Sequence, residues 1–208
     1  MTETLSPTRR LFIGLSAMSL AASQVPALAA SDEGLTVGDD GLYKQDWFLD
    51  TFLDFGEDLA EAAEEGKGLL VLFEQQGCPY CRELHKVNFA RQEIADFLAA
   101  NFNVVQIDLF GSRETTDFDG EAMEERDLAG RWGVHFTPTS VLFPASSAGM
   151  TDRAEAEAFR MPGYLKPFHY LSALEFVASG AYQEQGFQRF LQVKFEDLRA
   201  KGIQPDVW

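Results

Sequence analysis

Hydrophobic positions follow helical and strand periods along most of the chain. Between residues 46 and 65, Phe48, Phe52, Phe55, Leu59 and Ala62 recur at steps of four and three, one apolar helix face that Gly66 closes. The run Leu69-Leu70-Val71-Leu72-Phe73 is short and uniformly apolar, and it predicts a central strand. From Arg82 a helix is expected to run toward Asn88 and to continue or resume through Ile94, Phe97 and Leu98 until Asn101. Residues 104–109, rich in β-branched side chains, predict a second strand. Residues 112–127 hold seven acids and begin without apolar period, which predicts an exposed loop leading into a helix over 121–131. A strand is expected over 135–143 with Pro138 near its entrance, and an edge strand over 154–161 before Pro162-Gly163. Pro167 opens a helix whose face carries Phe168, Leu171, Leu174 and Val177. The last helix, over 184–201, is expected to bury Phe187, Phe190, Leu191, the stem of Lys194, Phe195 and Leu198 before Gly202 and Pro205 stop it.

The N-terminal pattern is of another kind. Arg9-Arg10 precede a modestly apolar run over residues 11–22, and Ala27-Leu28-Ala29 offers the small residues that a signal peptidase needs. The stretch Thr8-Arg9-Arg10-Leu11-Phe12-Ile13 is similar to a twin-arginine export signal. Residues 1–29 are therefore expected to be a signal peptide that exports the mature chain, by the twin-arginine or the general secretory route, without membrane insertion. Gly34, Gly38 and Gly41 among acidic residues make 30–42 a linker.

The 208 residues, 46% hydrophobic and including 18 Phe, suffice for one domain with a sizeable core. A formal charge of -16 argues against nucleic acid or an anionic membrane surface as partner. The acidity by itself implies solubility. Asp117-Phe118-Asp119-Gly120 is faintly like a calcium loop but lacks the closing bidentate acid, so a solvated acidic face is expected.

The chemistry concentrates in Cys78-Pro79-Tyr80-Cys81, set between the central strand and the following helix. Two cysteines three positions apart at a helix start lie about one turn apart on one face and can close a disulfide. Unpaired amides and the positive end of the helix dipole favour a thiolate at Cys78, the attacking sulfur, while Cys81, a turn inside, should be less exposed and resolves. Half of a zinc site has the same spacing, but the chain holds no other cysteine, so four thiolates within one chain are ruled out.

With these elements in order, the chain resembles bacterial periplasmic thioredoxin-like proteins, and most closely the SoxW-like group associated with sulfur oxidation. The resemblance is carried by Cys78-Pro79-Tyr80-Cys81, Asp117-Phe118-Asp119-Gly120-Glu121, Phe136-Thr137-Pro138-Thr139 and Pro162-Gly163-Tyr164-Leu165, which with their flanking elements span residues 68–177. It implies an α/β thioredoxin fold, a central mixed sheet flanked by helices, here with an acidic insertion and an extra C-terminal helix. The division is then a thioredoxin-like domain over 43–182 and a helical extension over 183–208. It also implies Cys78 as nucleophile, Cys81 as resolving thiol and a cis Thr137–Pro138 bond facing them, with Thr137, Pro138, Pro79 and Tyr80 meeting the substrate. A trans proline that merely starts a strand is the other reading of Pro138.

Thioredoxins place a buried Asp six residues before the first cysteine, and this chain has Leu72 there. Glu74 lies two residues on and on the same strand face, so it is a candidate for moving the proton of Cys81; a surface Glu at a strand end is the alternative. His85, four residues after Cys81, could join the cysteines as a soft metal ligand, or be a partly buried helix histidine, the reading preferred here. The expected activity is thiol-disulfide exchange needing no bound cofactor and no metal. The resemblance favours reduction of a disulfide-containing periplasmic protein, with electrons from a membrane thiol transporter. An oxidase or isomerase running the same chemistry backwards, and a metal or peptide carrier using the dithiol as ligands, are the rivals. A glutaredoxin role lacks a glutathione-binding signature after the proline strand.

Overall fold

The computed structural model describes residues 1–2 and 34–204. The signal peptide expected over 1–29 lies, beyond its first two residues, outside the described residues, and so does Pro205. Among the described residues no helix is long and apolar enough to cross a membrane.

The centre is a four-stranded sheet built from β3 (Gly68–Glu74), β4 (Phe102–Asp108), β7 (Thr139–Phe143) and β8 (Phe159–Pro162), in the order β4-β3-β7-β8. Strand β3 runs parallel to β4 and antiparallel to β7, and β8 is antiparallel to β7. Every residue of β3 is buried, as an uninterrupted apolar run requires of a strand covered on both faces. The two-residue period of the strand divides its side chains. Leu69, Val71 and Phe73 enter one core with Phe55, Leu59, Leu128 and Trp132, whereas Leu70 and Leu72 enter another with Leu84, Ile94, Leu98 and Leu174. Helices α1 (Phe55–Glu64) and α4 (Glu125–Arg131) supply the first core; α2 (Pro79–Glu83), α3 (Gln92–Asn101) and α6 (Pro167–Ala178) cover the other face. This is the mixed, helix-flanked sheet of the expected thioredoxin fold.

Several elements differ from the sequence expectation for local reasons. Helix α1 begins at Phe55 and not near residue 46, because Leu53 takes a left-handed conformation, φ 60°, and Asp54 caps the helix by accepting from the Glu57 amide at 3.0 Å. Phe52 is consequently 97% exposed, while Trp47 and Phe48 pack on the second core. The linker expected over 30–42 includes part of a hairpin, β1 (Thr36–Val37) against β2 (Tyr43–Lys44), with Leu42 buried beside it. After α2 the helix widens into a π turn over Leu84–Phe89, and α3 follows a break.

The acidic insertion is also more ordered than a loop. Strands β5 (Glu114–Thr116) and β6 (Ala122–Glu124) pair around the Asp117–Gly120 turn, so α4 starts at Glu125 and not at 121. Its acids are not all solvated. Asp117 is buried and accepts from the Trp132 indole at 3.1 Å, and Arg131 gathers Asp117, Asp119 and Glu121. Glu125, also buried, accepts from the amides of Asp108 and Arg113 at 3.0 and 3.1 Å.

The proline strand forms only from Thr139, and α5 (Arg153–Ala156) occupies the first part of the expected edge strand. The final helix, α7 (Phe187–Ala200), buries no side chain fully. Phe187 and Phe190 pack partly against the second core, whereas Phe195 is exposed.

Candidate active site

Strand β3 ends at Glu74, and Gly77, at φ 72°, turns the chain so that Cys78 caps α2. Cys78 and Cys81 are joined in a disulfide with Cα atoms 5.2 Å apart. The Cys81 amide donates to Cys78 Sγ at 3.0 Å, and the Thr137 hydroxyl donates to the same sulfur at 3.4 Å. Both cysteines are buried, Cys78 3% and Cys81 1% exposed, so the expected difference in exposure is slight.

Thr137–Pro138 is cis. Its loop is pinned on both sides: Gly163 donates its amide to the Pro138 carbonyl at 2.7 Å, and the Thr139 hydroxyl donates to the Phe136 carbonyl at 2.7 Å. The structure thus brings Thr137 and Pro138 to the dithiol. Pro79 and Tyr80 stand on the outer side of the helix start, Tyr80 62% exposed. Phe136 is exposed beside Thr137. Phe110 is exposed at the same end of the sheet, one residue after Leu109 donates its amide to the Glu74 carbonyl. Sequence reasoning did not single out Phe110; the available signal was a large apolar residue just past a strand end.

Glu74 is not a surface residue. It is 1% exposed, and its Oε2 accepts from His85 Nε2 at 3.0 Å and from Gln106 Nε2 at 2.5 Å. Alternation does place it on the face of Leu70 and Leu72. The network extends outward. Lys44 Nζ donates to Gln106 Oε1 at 2.6 Å, which orients that amide so that its nitrogen serves Glu74 and the Tyr43 carbonyl. Gln45 Nε2 meets His85 Nδ1 at 3.0 Å. His85, 1% exposed, is boxed by the rings of Tyr43, Phe48 and Phe89 at centroid distances of 5.0–5.6 Å. Both of its ring nitrogens are thereby engaged, and among the described residues no three His, Cys, Asp or Glu side chains are grouped to hold a metal. Deeper under the same face, Tyr170 shares a hydrogen bond with Ser140 at 3.2 Å, and burial pushes its phenol well above the usual range.

A helix-flanked mixed sheet that delivers a cysteine pair to the head of a helix, opposite a cis-proline loop, defines a thioredoxin-fold dithiol protein. Residues 55–178, well over half of the chain, match the family model of the thioredoxin-like domain, and the chain belongs to that family. It is similar to a thioredoxin-fold protein from Helicobacter pylori, 24% identical, with 70% of this chain and 92% of that one covered and a TM-score of 0.51. It is also similar to a thioredoxin from Thermus thermophilus, 25% identical, with 60% and 83% covered and a TM-score of 0.47. No curated protein matches the sequence. The chain is thus a thioredoxin-like protein whose CxxC pair, Cys78 and Cys81, is closed as a disulfide, an arrangement consistent with thiol-disulfide exchange.

Proposed function

We propose that this protein is a periplasmic thiol-disulfide oxidoreductase that reduces disulfides in exported partner proteins. The observation that carries the reading is the position of Cys78 Sγ, capping a helix, within reach of the Cys81 amide and the Thr137 hydroxyl. In the reduced protein these donors favour a thiolate at Cys78. That thiolate attacks a partner disulfide; a Cys78–partner bond forms, and the partner's other sulfur leaves and is protonated. Cys81 then attacks Cys78 Sγ, closing the Cys78–Cys81 bond and releasing the second partner thiol. The backbone of Thr137 offers hydrogen bonds to an extended partner segment, flanked by Pro79, Tyr80 and Phe136.

The SoxW-like resemblance supports the reductive direction and a membrane thiol transporter as electron donor, and the Arg9-Arg10 leader supports export. The test is insulin reduction by dithiothreitol. Catalysis lost in Cys78→Ser is expected, whereas no catalysis by the parent protein would leave the dithiol to a carrier role. Direction is read from the reduction potential of the pair. A value near or below about -250 mV fits a reductant, and one above about -180 mV makes the protein an oxidase or isomerase.

A further inference from the structure

Among the described residues five Phe, Tyr and Trp side chains are exposed, and three of them, Tyr80, Phe110 and Phe136, stand at the dithiol end of the sheet. Scattered exposed aromatics need no explanation, but three gathered at one reactive pair do. The strand order β4-β3-β7 sets them abreast. Strand β3 leads into Cys78; β4, parallel to it, ends two residues before Phe110; and β7, antiparallel to β3, begins just after Thr137 and Pro138. Phe110 and Phe136 therefore flank the dithiol from the two strands that neighbour β3, each strand about 4.8 Å away from it.

The two flanks offer a partner different things. On the β7 side the backbone of Thr137 meets an extended segment. On the β4 side the amides are already used: Leu109 donates to the Glu74 carbonyl at 2.8 Å, Gly111 to the Asp108 carbonyl at 3.0 Å, and Phe110 to Asp108 Oδ1 at 3.0 Å. Leu109 is buried in the core below, and the Phe110 ring, 69% exposed, is what this flank presents. The turn that carries it is held from behind. Glu125, 1% exposed, accepts from the Asp108 and Arg113 amides and from the Arg113 guanidinium, and Arg126 donates its amide to the Gly111 carbonyl at 3.2 Å. Gly111 lies so close to this fixed carboxylate that a Cβ there would stand 2.0 Å from Glu125 Oε2. An aromatic ring on a turn fixed in this way loses little freedom when a partner binds, as a binding anchor requires.

We infer that Phe110 is a specificity-determining residue whose ring packs against an apolar side chain next to the partner cysteine that Cys78 attacks. This rests on the oxidoreductase reading and names its substrate class: protein or peptide disulfides flanked by bulky apolar residues. Side chains one or two positions from a cysteine lie within about 7 Å of it in an extended segment, enough to span the step from β3 to β4. Glu125 and Gly111 are positioning residues that act through Phe110 and do not touch the partner.

The test is stopped-flow reaction of the reduced protein with mixed disulfides of thionitrobenzoate, whose release is coloured. Cys78 thiolate attacks the other sulfur, a Cys78–probe bond forms, and thionitrobenzoate leaves as the thiolate. Three probes share this leaving group: 2-mercaptoethanol, and two peptides with identical lysine ends and one cysteine, flanked at two positions on each side by Phe or by Ser. The parent is expected to react at least about tenfold faster with the Phe peptide than with the Ser peptide. Phe110→Ala should cut that preference to about threefold or less, Phe110→Leu should keep more than about half of it, and both should react with the mercaptoethanol probe within about twofold of the parent. Gly111→Ala, which crowds the Glu125 carboxylate and leaves Phe110 in the chain, should also lower the preference. No preference in the parent, a preference that survives Phe110→Ala, or a loss in Phe110→Ala that is equal for the small probe overturns the inference. A preference unchanged in Gly111→Ala overturns the positioning role. No release from the small probe by the parent overturns the oxidoreductase reading itself, whereas release without preference overturns the role of Phe110 alone.

Discussion

Replacing Asp58 by asparagine is expected to stabilise the protein at pH 8 and to change little at pH 4. Asp58 lies in the first turn of α1, 7% exposed, and its Oδ2 accepts the Thr51 hydroxyl at 3.0 Å. Burial pushes its carboxyl from the ordinary 3.8 up to about 6; Glu61, Asp54 and Glu57 push the same way, and the Thr51 bond only partly opposes them. The folded protein therefore prefers the protonated acid. The stability this contributes is complete below the unfolded value near 3.8 and is lost as pH rises through about 6. At about 1.4 kcal/mol per pH unit, the interval sets a ceiling of about 3 kcal/mol. The site borders an open pocket lined by Asp50, Asp54, Glu57 and Glu61, so screening reduces the cost to about 1–2 kcal/mol. Urea denaturation of parent and Asp58→Asn at the two pH values measures it. A gain at pH 8 that shrinks to a few tenths of a kcal/mol at pH 4 is expected; no gain at pH 8, or an equal gain at both, refutes the electrostatic account.

Thr137→Val removes the hydroxyl that reaches Cys78 Sγ. Losing a hydrogen bond worth about 1 kcal/mol to the thiolate should slow the attack of the reduced protein on 5,5′-dithiobis(2-nitrobenzoate), followed by the coloured thionitrobenzoate first released, about fivefold at pH 7 and hardly at all above pH 9; an unchanged rate at pH 7 contradicts it. Glu125→Ala should cost at least about 3 kcal/mol in urea denaturation, since it strips buried acceptors from the Asp108 and Arg113 amides and from the Arg113 guanidinium, whose Nε and Nη2 approach at 3.0 and 2.6 Å. A loss below about 1 kcal/mol would mean that the hairpin is not held through this residue.

What could be read from the chain was what depends on neighbouring residues. The uniform run before Cys78, the spacing of the cysteines and Pro167 at a helix start each act within a few positions, and β3, the head of α2 and α6 formed where these signals placed them. The start of α1 was hidden because the helical spacing of Phe48 and Phe52 continues smoothly into that of Phe55 and Leu59; only the left-handed Leu53 separates them. The β5–β6 hairpin was hidden by its brevity, three residues a side, and by Glu114 registering opposite Glu124, a pairing that no pattern of alternating polarity announces. The Glu74 network draws on β2, the residue after it, β3, the π turn and β4, and each member taken alone reads as a polar residue at an element's edge. Only alternation along β3 pointed to it.

The two faces of the sheet show why that network sits where it does. The face toward α1 and α4 presents Leu69, Val71, Phe73, Val105, Ile107, Val141 and Phe143, with Asn103, Thr139 and Arg160 in register with Leu69, Phe73 and Val141. On the dithiol side, Gln106 of β4 and Ser140 of β7 both register with Leu72 of β3, and Ser140 is tied to Tyr170. A polar row thus crosses the sheet at the level of Leu72 but skips β3 itself, where thioredoxins carry their buried acid. Glu74 is one pleat further along the same face, about 6–7 Å closer to the strand end that leads into Cys78. Its longer side chain meets Gln106 from that row and His85 from the helix above. Leu72 leaves the deeper level of β3 apolar, so the strand's carboxyl stands nearer the end that leads into Cys78. Burying polar groups opposes stability unless they are paired, and on the dithiol side Glu74, Gln106 and Ser140 each find a hydrogen-bond partner within the face.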